Sequence, residues 1–283
     1  MKIKVVADRT ADIPESLLKK YNITQQFLPL TLGSTEYMDG INITPDDIYN
    51  HFEKTGHLPK TSAPNPTMVR EFYDKVFAEE KCDAIIHFTI SSELSVTYNN
   101  SVLAAEGLPV FVVDSLSLST GITLQVLYAC DLIEQGLKAE EVYKKVVARR
   151  DKVQASFVVG NLKFLHKGGR CSGVAMFGAN LLGIRPSIEL RAGRMEVGKK
   201  FRGKIKDVLG DYVNNTLEKW NTPDKKRVFV THTLMGEGLP EYVVSLLKDK
   251  FDEVIENTAG CTITSHCGKG TLGILYYNDG GDK

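Results

Sequence analysis

The chain has 283 residues, 42% of them hydrophobic, with 35 Lys plus Arg set against 35 Asp plus Glu. That length and apolar content can bury a large core, in one large or two modest domains. The balanced charge supplies no overall field to draw the chain onto nucleic acid or an anionic membrane, so any partner has to be recognised locally.

The first eight residues, Met1-Lys2-Ile3-Lys4-Val5-Val6-Ala7-Asp8, read directly as a strand and lack the long apolar core of a signal peptide. No apolar run reaches the ~18 residues of a spanning helix. A cytoplasmic location without stable membrane insertion is expected. The cysteines, Cys82, Cys130, Cys171, Cys261 and Cys267, are odd in number and contain no C-x-x-C pair. That spacing weighs against a disulfide framework or a zinc site, and neither a metal nor a cofactor is expected.

In chain order, the strand Ile3 to Ala7 is followed by a helix after Pro14 and a second helix over Pro66 to Glu80. Next come a strand ending at Ile90, a helix through Tyr98 to Ala105, and a strand over Val110 to Val113. Such alternation of short apolar runs with helical patterns predicts βα units and a largely parallel sheet. Helices over Gly121 to Gln135 and Ala139 to Arg150 complete an α/β domain over 1–150, the last ending in two arginines suited to its C-terminal dipole. Beyond it, Phe157-Val158-Val159 leads into a Gly-rich segment, Lys167 to Gly183. Ser187 to Leu190 and Met195 to Val197, joined through Ala192-Gly193-Arg194, read as a hairpin. An amphipathic helix over Lys204 to Trp220, a strand over Arg227 to His232, a helix over Glu241 to Lys250 and a strand over Leu272 to Tyr277 give a smaller α+β domain over 151–283.

Hydroxyl-rich segments fall where these strands end. Ile90-Ser91-Ser92-Glu93-Leu94-Ser95-Val96-Thr97-Tyr98 and Asp114-Ser115-Leu116-Ser117-Leu118-Ser119 follow strand-like runs, and Thr61-Ser62-Ala63-Pro64 precedes a helix. In open α/β sheets the carboxyl edge is where ligands sit, so these segments predict a crevice of neutral donors suited to a small polar head group. Asn65 and Pro66 supply the helix cap, which leaves Thr61 and Ser62 for other work. Ser91 or Ser92 is equally suited to cap the helix that follows, and Ser95 is the stronger ligand candidate. Asp8 and Asp114, at strand ends, are read as caps of neighbouring loops rather than as an acid/base or metal pair.

Gly268-Lys269-Gly270-Thr271-Leu272-Gly273 has the letters of a dinucleotide fingerprint, but it opens no βαβ unit and only ten residues follow. Its glycines instead allow positive φ and close approach of backbone to whatever His266 touches. Lys167-Gly168-Gly169-Arg170 and Phe201-Arg202-Gly203-Lys204 place basic residues in flexible surroundings, where solvated surface charge is the plain alternative to a function.

Taken together, these segments, the start Asp8-Arg9-Thr10-Ala11-Asp12-Ile13-Pro14 and the run from His266 to Gly273 resemble the DegV family, the bacterial fatty-acid-binding proteins. The resemblance extends from the first strand to the last. It implies a carrier that hides a long-chain fatty acid such as palmitate in an apolar tunnel between two domains. The lipid carboxylate would be met by Thr61, with Ser62 beside it, by Ser95 with Ser92, and by His266 with Gly268. Arg170 and Arg202 would assist phosphate transfer or docking onto a partner fatty acid kinase, a role suited to guanidinium groups. Three positions depart from the family pattern: Arg9 replaces a serine, Asn65 a serine and Val96 the glycine of Leu-Ser-Gly-Thr-Tyr. The alternative is a Ser/His-dependent hydrolase of a small ester, for which the chain lacks a G-x-S-x-G elbow. A self-contained phosphotransferase would need a P-loop or kinase signature that is absent.

Overall fold

The computed structural model describes residues 2–160, 162–171, 173 and 184–281. Residues 172 and 174–183 of the expected Gly-rich segment lie outside the described residues.

Among the described residues the chain begins β1 (Ile3–Asp8), α1 (Glu15–Lys20), β2 (Thr24–Gln26), β3 (Pro29–Leu32) and β4 (Thr35–Met38). It continues α2 (Pro45–Thr55), β5 (Lys60–Thr61), α3 (Pro66–Glu80), β6 (Ala84–Thr89), α4 (Thr97–Ala104), β7 (Val110–Asp114), α5 (Thr120–Glu134) and α6 (Ala139–Arg149). Then follow β8 (Val153–Val158), α7 (Leu162–Gly168), β9 (Ile184–Arg191), β10 (Arg194–Arg202) and α8 (Ile205–Lys219). The chain closes with β11 (Val228–His232), α9 (Leu239–Leu247), β12 (Val254–Thr258), α10 (Cys261–Cys267) and β13 (Leu272–Tyr277). No helix among the described residues is long and apolar enough to cross a membrane.

The chain divides into two compact units, Met1–Thr44 with Pro59–Asp151, and Pro45–Leu58 with Lys152–Lys283. The main boundary therefore falls at 151/152, and α2, which the sequence reading left in the first domain, groups with the second unit. The first unit holds a four-stranded parallel sheet in the order β2-β1-β6-β7 and an antiparallel sheet in the order β4-β3-β5. All six residues of β6 are buried, as expected of a parallel strand covered on both faces. Asn65 caps α3 by accepting from the Met68 amide at 3.0 Å, and Pro66 fills N1. One stripe of α3, Val69, Tyr73 and Val76, packs on Val6 and Ile85 of the sheet.

The second unit is built on the larger sheet, six strands in the order β10-β9-β8-β13-β11-β12. Only β11 and β12 run parallel within it; the remaining pairs are antiparallel. The expected hairpin is present, with Ala192 and Gly193 both at positive φ, the conformation a two-residue turn of this kind requires. Val208, Leu209, Tyr212 and Val213 of α8 form the core with Val228, Val230 and Ile274. The buried Tyr212 hydroxyl donates to the Ser156 carbonyl at 2.7 Å and accepts from the Ile274 amide at 3.1 Å, so its polar atom is satisfied inside that core.

Candidate functional site

Register places the ends of three parallel strands side by side: Ala7 of β1 faces Phe88 of β6, and Thr89 faces Asp114 of β7. Their terminal carboxylates organise the loops that follow, as the sequence reading expected. Asp8, fully buried, accepts from the Thr10 hydroxyl, from the Thr10 amide at 3.1 Å and from the Ile90 amide at 2.8 Å. Burial pushes its carboxyl up to about 6 against the lowering effect of those bonds. Asp114 accepts from the Ser92 amide at 3.0 Å, the Ser92 hydroxyl at 2.6 Å and the Leu116 amide at 3.2 Å. Around these carboxylates Asp12, Leu116 and Ser119 take positive φ without being glycine, at a cost on the order of 1–3 kcal/mol each. The Ser119 hydroxyl donates to Asp12 at 2.6 Å, tying two of the three together.

Thr61 is half-buried on β5, opposite Leu30, and the exposed Ser62 donates its amide to the Pro29 carbonyl at 3.0 Å. The same loop is held from its other side, because the Asn100 amide group on α4 donates to the Pro64 carbonyl at 2.9 Å. The loop bearing Thr61 is thus fastened to α4, the helix that follows Ser95. Ser95 shares a 2.8 Å hydrogen bond with the Thr97 hydroxyl and accepts from the Thr97 amide at 3.2 Å. Val96 sits at φ −78°, ψ 4°, which any L-residue adopts, and its side chain is 58% exposed. Replacing the family's glycine therefore strains nothing. Ser92, committed through its hydroxyl to Asp114, acts as a loop-positioning residue in this structure.

In the second unit, Thr262-Ile263-Thr264-Ser265 is helical and forms the body of α10 (Cys261–Cys267) despite its β-branched residues. His266 lies in its last turn, partly buried. Its Nδ1 abuts Gly168 at the end of α7, where an added Cβ would approach to 2.6 Å. Gly268 ends α10 at φ 71°, and a Cβ there would strike the Phe164 ring at 2.6 Å. A side chain is excluded at 268 by packing and by backbone conformation together. Phe164 packs in turn against Phe52 of α2, with ring centroids 4.7 Å apart and the planes tilted by 53°. The exposed Arg170 donates to the Gly168 carbonyl at 2.7 Å. Burial first, and the Arg170 charge second, lower the His266 imidazole to about 4, so it is neutral at neutral pH and offers a ring N–H without adding charge.

Within the second unit the structure therefore gathers Gly168, Arg170, His266 and Gly268. In the first unit, Thr61 and Ser62 lie at β5 of the antiparallel sheet and Ser92 and Ser95 follow β6 of the parallel one, their loops tied by the Asn100–Pro64 bond. Arg202 is exposed at the end of β10, paired with Ile184 in the ladder, and among the described residues its side chain makes no hydrogen bond or ion pair. Beside the phosphate or docking role that the resemblance implies for it, the Arg170 charge acts on the His266 imidazole. Among the described residues no disulfide forms, and no group of three or more His, Cys, Asp or Glu is placed to hold a metal ion. The hydrolase alternative gains no support: Ser92 and Ser119 donate to carboxylates and Ser95 pairs with Thr97. A hydroxyl bound to a carboxylate without an intervening imidazole is not an activated nucleophile of the triad kind.

Fold and site define a two-unit α/β protein whose strand ends carry neutral hydroxyls and whose second unit carries a neutral imidazole beside a guanidinium. The chain belongs to the DegV family, described as uncharacterised protein, DegV family, whose profile matches residues 2–279. It is 35% identical over 287 aligned positions to a protein of Thermotoga maritima named fatty acid-binding protein, covering 97% of each chain. Among solved structures, a DegV family protein from Thermus thermophilus described for its fatty acid binding superposes with a TM-score of 0.87 at 29% identity, over 99% of this chain and 100% of that one. A Thermotoga maritima structure described as revealing fatty acid binding function superposes with a TM-score of 0.84 at 31% identity, over 99% and 100% of the two chains.

Proposed function

We propose that this protein is a non-catalytic cytoplasmic carrier of a long-chain fatty acid. The observation that carries the reading is the His266 imidazole, kept neutral by burial and flanked by Arg170, in a chain alike over nearly its whole length to proteins described as fatty acid binders. A carboxylate needs donors but not a full buried counter-charge; the His266 ring N–H and the Arg170 guanidinium of the second unit are suited to that work, and Thr61 and Ser95 are the hydroxyl candidates of the first. Burying a tail of ~16 carbons at about 0.8 kcal/mol per methylene gives ample gross affinity, so the head-group contacts set orientation more than strength. The carboxylate so held is the atom group that a partner fatty acid kinase would phosphorylate, with Arg170 and Arg202 available to the transferred phosphate or to the partner's surface. No role in nucleic-acid binding is proposed.

Native mass spectrometry of protein purified without added lipid tests the reading. A co-purified fatty acid is the expected result. Protein that emerges empty and ignores added palmitate and oleate would overturn it.

A further inference from the structure

A recess of about 400 Å³ lies within the second unit, at the carboxyl ends of the parallel strands β11 and β12. Carboxyl ends of parallel strands joined by a helix are a recurrent ligand position in α/β sheets. Its inner wall includes the buried Tyr49, Pro240 and Ala259. The Tyr49 hydroxyl accepts from the Leu234 amide at 3.3 Å, which fixes the loop leaving β11. Leu234 is thereby held at the mouth with 49% of its surface exposed.

The rim has a single sign. Asp46, Glu237, Glu241 and Glu256 are exposed around it, and the one basic side chain of the lining, His232, faces Glu256 across 3.2 Å. Asp46 and Glu241 also complement the N-terminal dipoles of α2 and α9, which accounts for their local stability but not for the apolar hollow between them. A fatty acid is the wrong occupant, since four carboxylates would repel its head group. The same ring of charge attracts a cationic rim, and an exposed leucine beside an apolar hollow suits an apolar anchor.

We propose that this recess is the docking site for a partner protein that inserts an apolar side chain flanked by lysine or arginine. The inference does not depend on lipid binding. The occupant has to bring both properties, because the apolar wall alone would admit any hydrophobic tip and the carboxylates alone any polycation.

The test uses the full chain, isotope-labelled for amide NMR, titrated with an acetylated and amidated peptide of Leu-Trp bracketed by two lysines on each side. Saturable shifts centred on His232, Leu234 and Glu256 are expected. Affinity should fall about tenfold or more in the Glu237→Lys/Glu241→Lys double variant and in Leu234→Asp, all at exposed positions whose folding a thermal melt can verify. Peptides with glutamate for lysine, or serine for the Leu-Trp pair, should not bind. The proposal is overturned if the parent peptide does not saturate, if the variants bind it equally, or if the serine-substituted polycation binds as well as the parent.

Discussion

Nδ1 of His266 occupies the space that a side chain at Gly168 would need, since a Cβ there would come within 2.6 Å of that nitrogen. Gly168 is not held at positive φ, so alanine at this position strains space alone and not the backbone. Gly168→Ala should turn the His266 ring away and weaken fatty acid binding by about 1 kcal/mol, roughly fivefold, while the fold persists. Lipid titration beside a thermal melt measures both, and an unchanged affinity would show that the ring's position is irrelevant to the lipid.

Thr61→Val and Ser95→Ala should each weaken fatty acid binding by about 0.5–2 kcal/mol, the scale of losing one of several hydrogen bonds to the head group. They should differ in stability. Ser95 also accepts from the Thr97 amide at the start of α4, so its loss should destabilise the first unit by about 0.5–1 kcal/mol, whereas Thr61→Val keeps a β-branched residue in a strand. Isothermal titration and denaturant unfolding separate the two effects; equal affinity in both variants would remove these hydroxyls from the site.

Arg170→Ala and Arg202→Ala should behave differently from one another. Arg170 acts on His266 through its charge and braces the Gly168 carbonyl, so its removal should weaken lipid binding several-fold as well as slow any acyl phosphorylation. Arg202→Ala should leave lipid affinity unchanged. Fluorescence competition with a labelled fatty acid distinguishes them, and identical losses in the two variants would contradict the separation.

Acid should act on stability through buried groups of opposite sign, His87, lowered to about 3, and His266 on one side and Asp8 on the other. Burial holds His266 near 4 in the folded chain against 6.5 in the unfolded one, so the unfolded state takes up the proton first and stability is lost as pH falls from about 6.5 to about 4. Asp8 is raised to about 6 from 3.8, so the folded state takes up its proton first and stability is gained as pH falls from about 6 to about 4. The His266 and Asp8 contributions are each on the order of 3 kcal/mol in full. Asp8→Asn removes the gain: the variant's stability relative to the parent should drop steadily between pH 6 and pH 4 in urea unfolding. A pH-independent difference would mean that Asp8 does not titrate in this range.

Elements with strong local signals were legible in the sequence. Asn65-Pro66 announces α3, and the predicted span Pro66 to Glu80 is the observed one because cap and apolar stripe agree. The strand Leu272 to Tyr277 was legible for the same reason of unbroken apolar character. Two missed elements owe their form to packing. α2 carries Asp46, Asp47, Asn50, Glu53 and Lys54 with few buried residues, too sparse a stripe to read, and is held by Tyr49 and Phe52 against partners far along the chain. α10 contains Thr262-Ile263-Thr264, a run with strand propensity that tertiary contact with α7 overrides.

For the site, the loops at strand ends were legible because βα alternation alone predicts which ends face the same way. The closeness of Arg170 to His266 was not. It arises where α7 meets α10, two short helices that no spacing in the sequence connects. The commitment of Ser92 to Asp114 was equally hidden, since a serine after a strand reads the same whether it caps, binds a ligand or holds a neighbouring carboxylate.

The chain passes from one unit to the other at Thr44/Pro45, returns at Leu58/Pro59, and leaves again at Asp151/Lys152. During synthesis, the helix at Pro45–Thr55 therefore emerges long before Phe164, Leu234 and Lys269, the residues it will rest against. Until they arrive, Tyr49 and Phe52 have no native cover, and the earlier unit has to fold around a loop that is waiting for its own support. A fragment cut at Asp151 would preserve that interim condition permanently, with an orphaned apolar stripe on an otherwise finished unit.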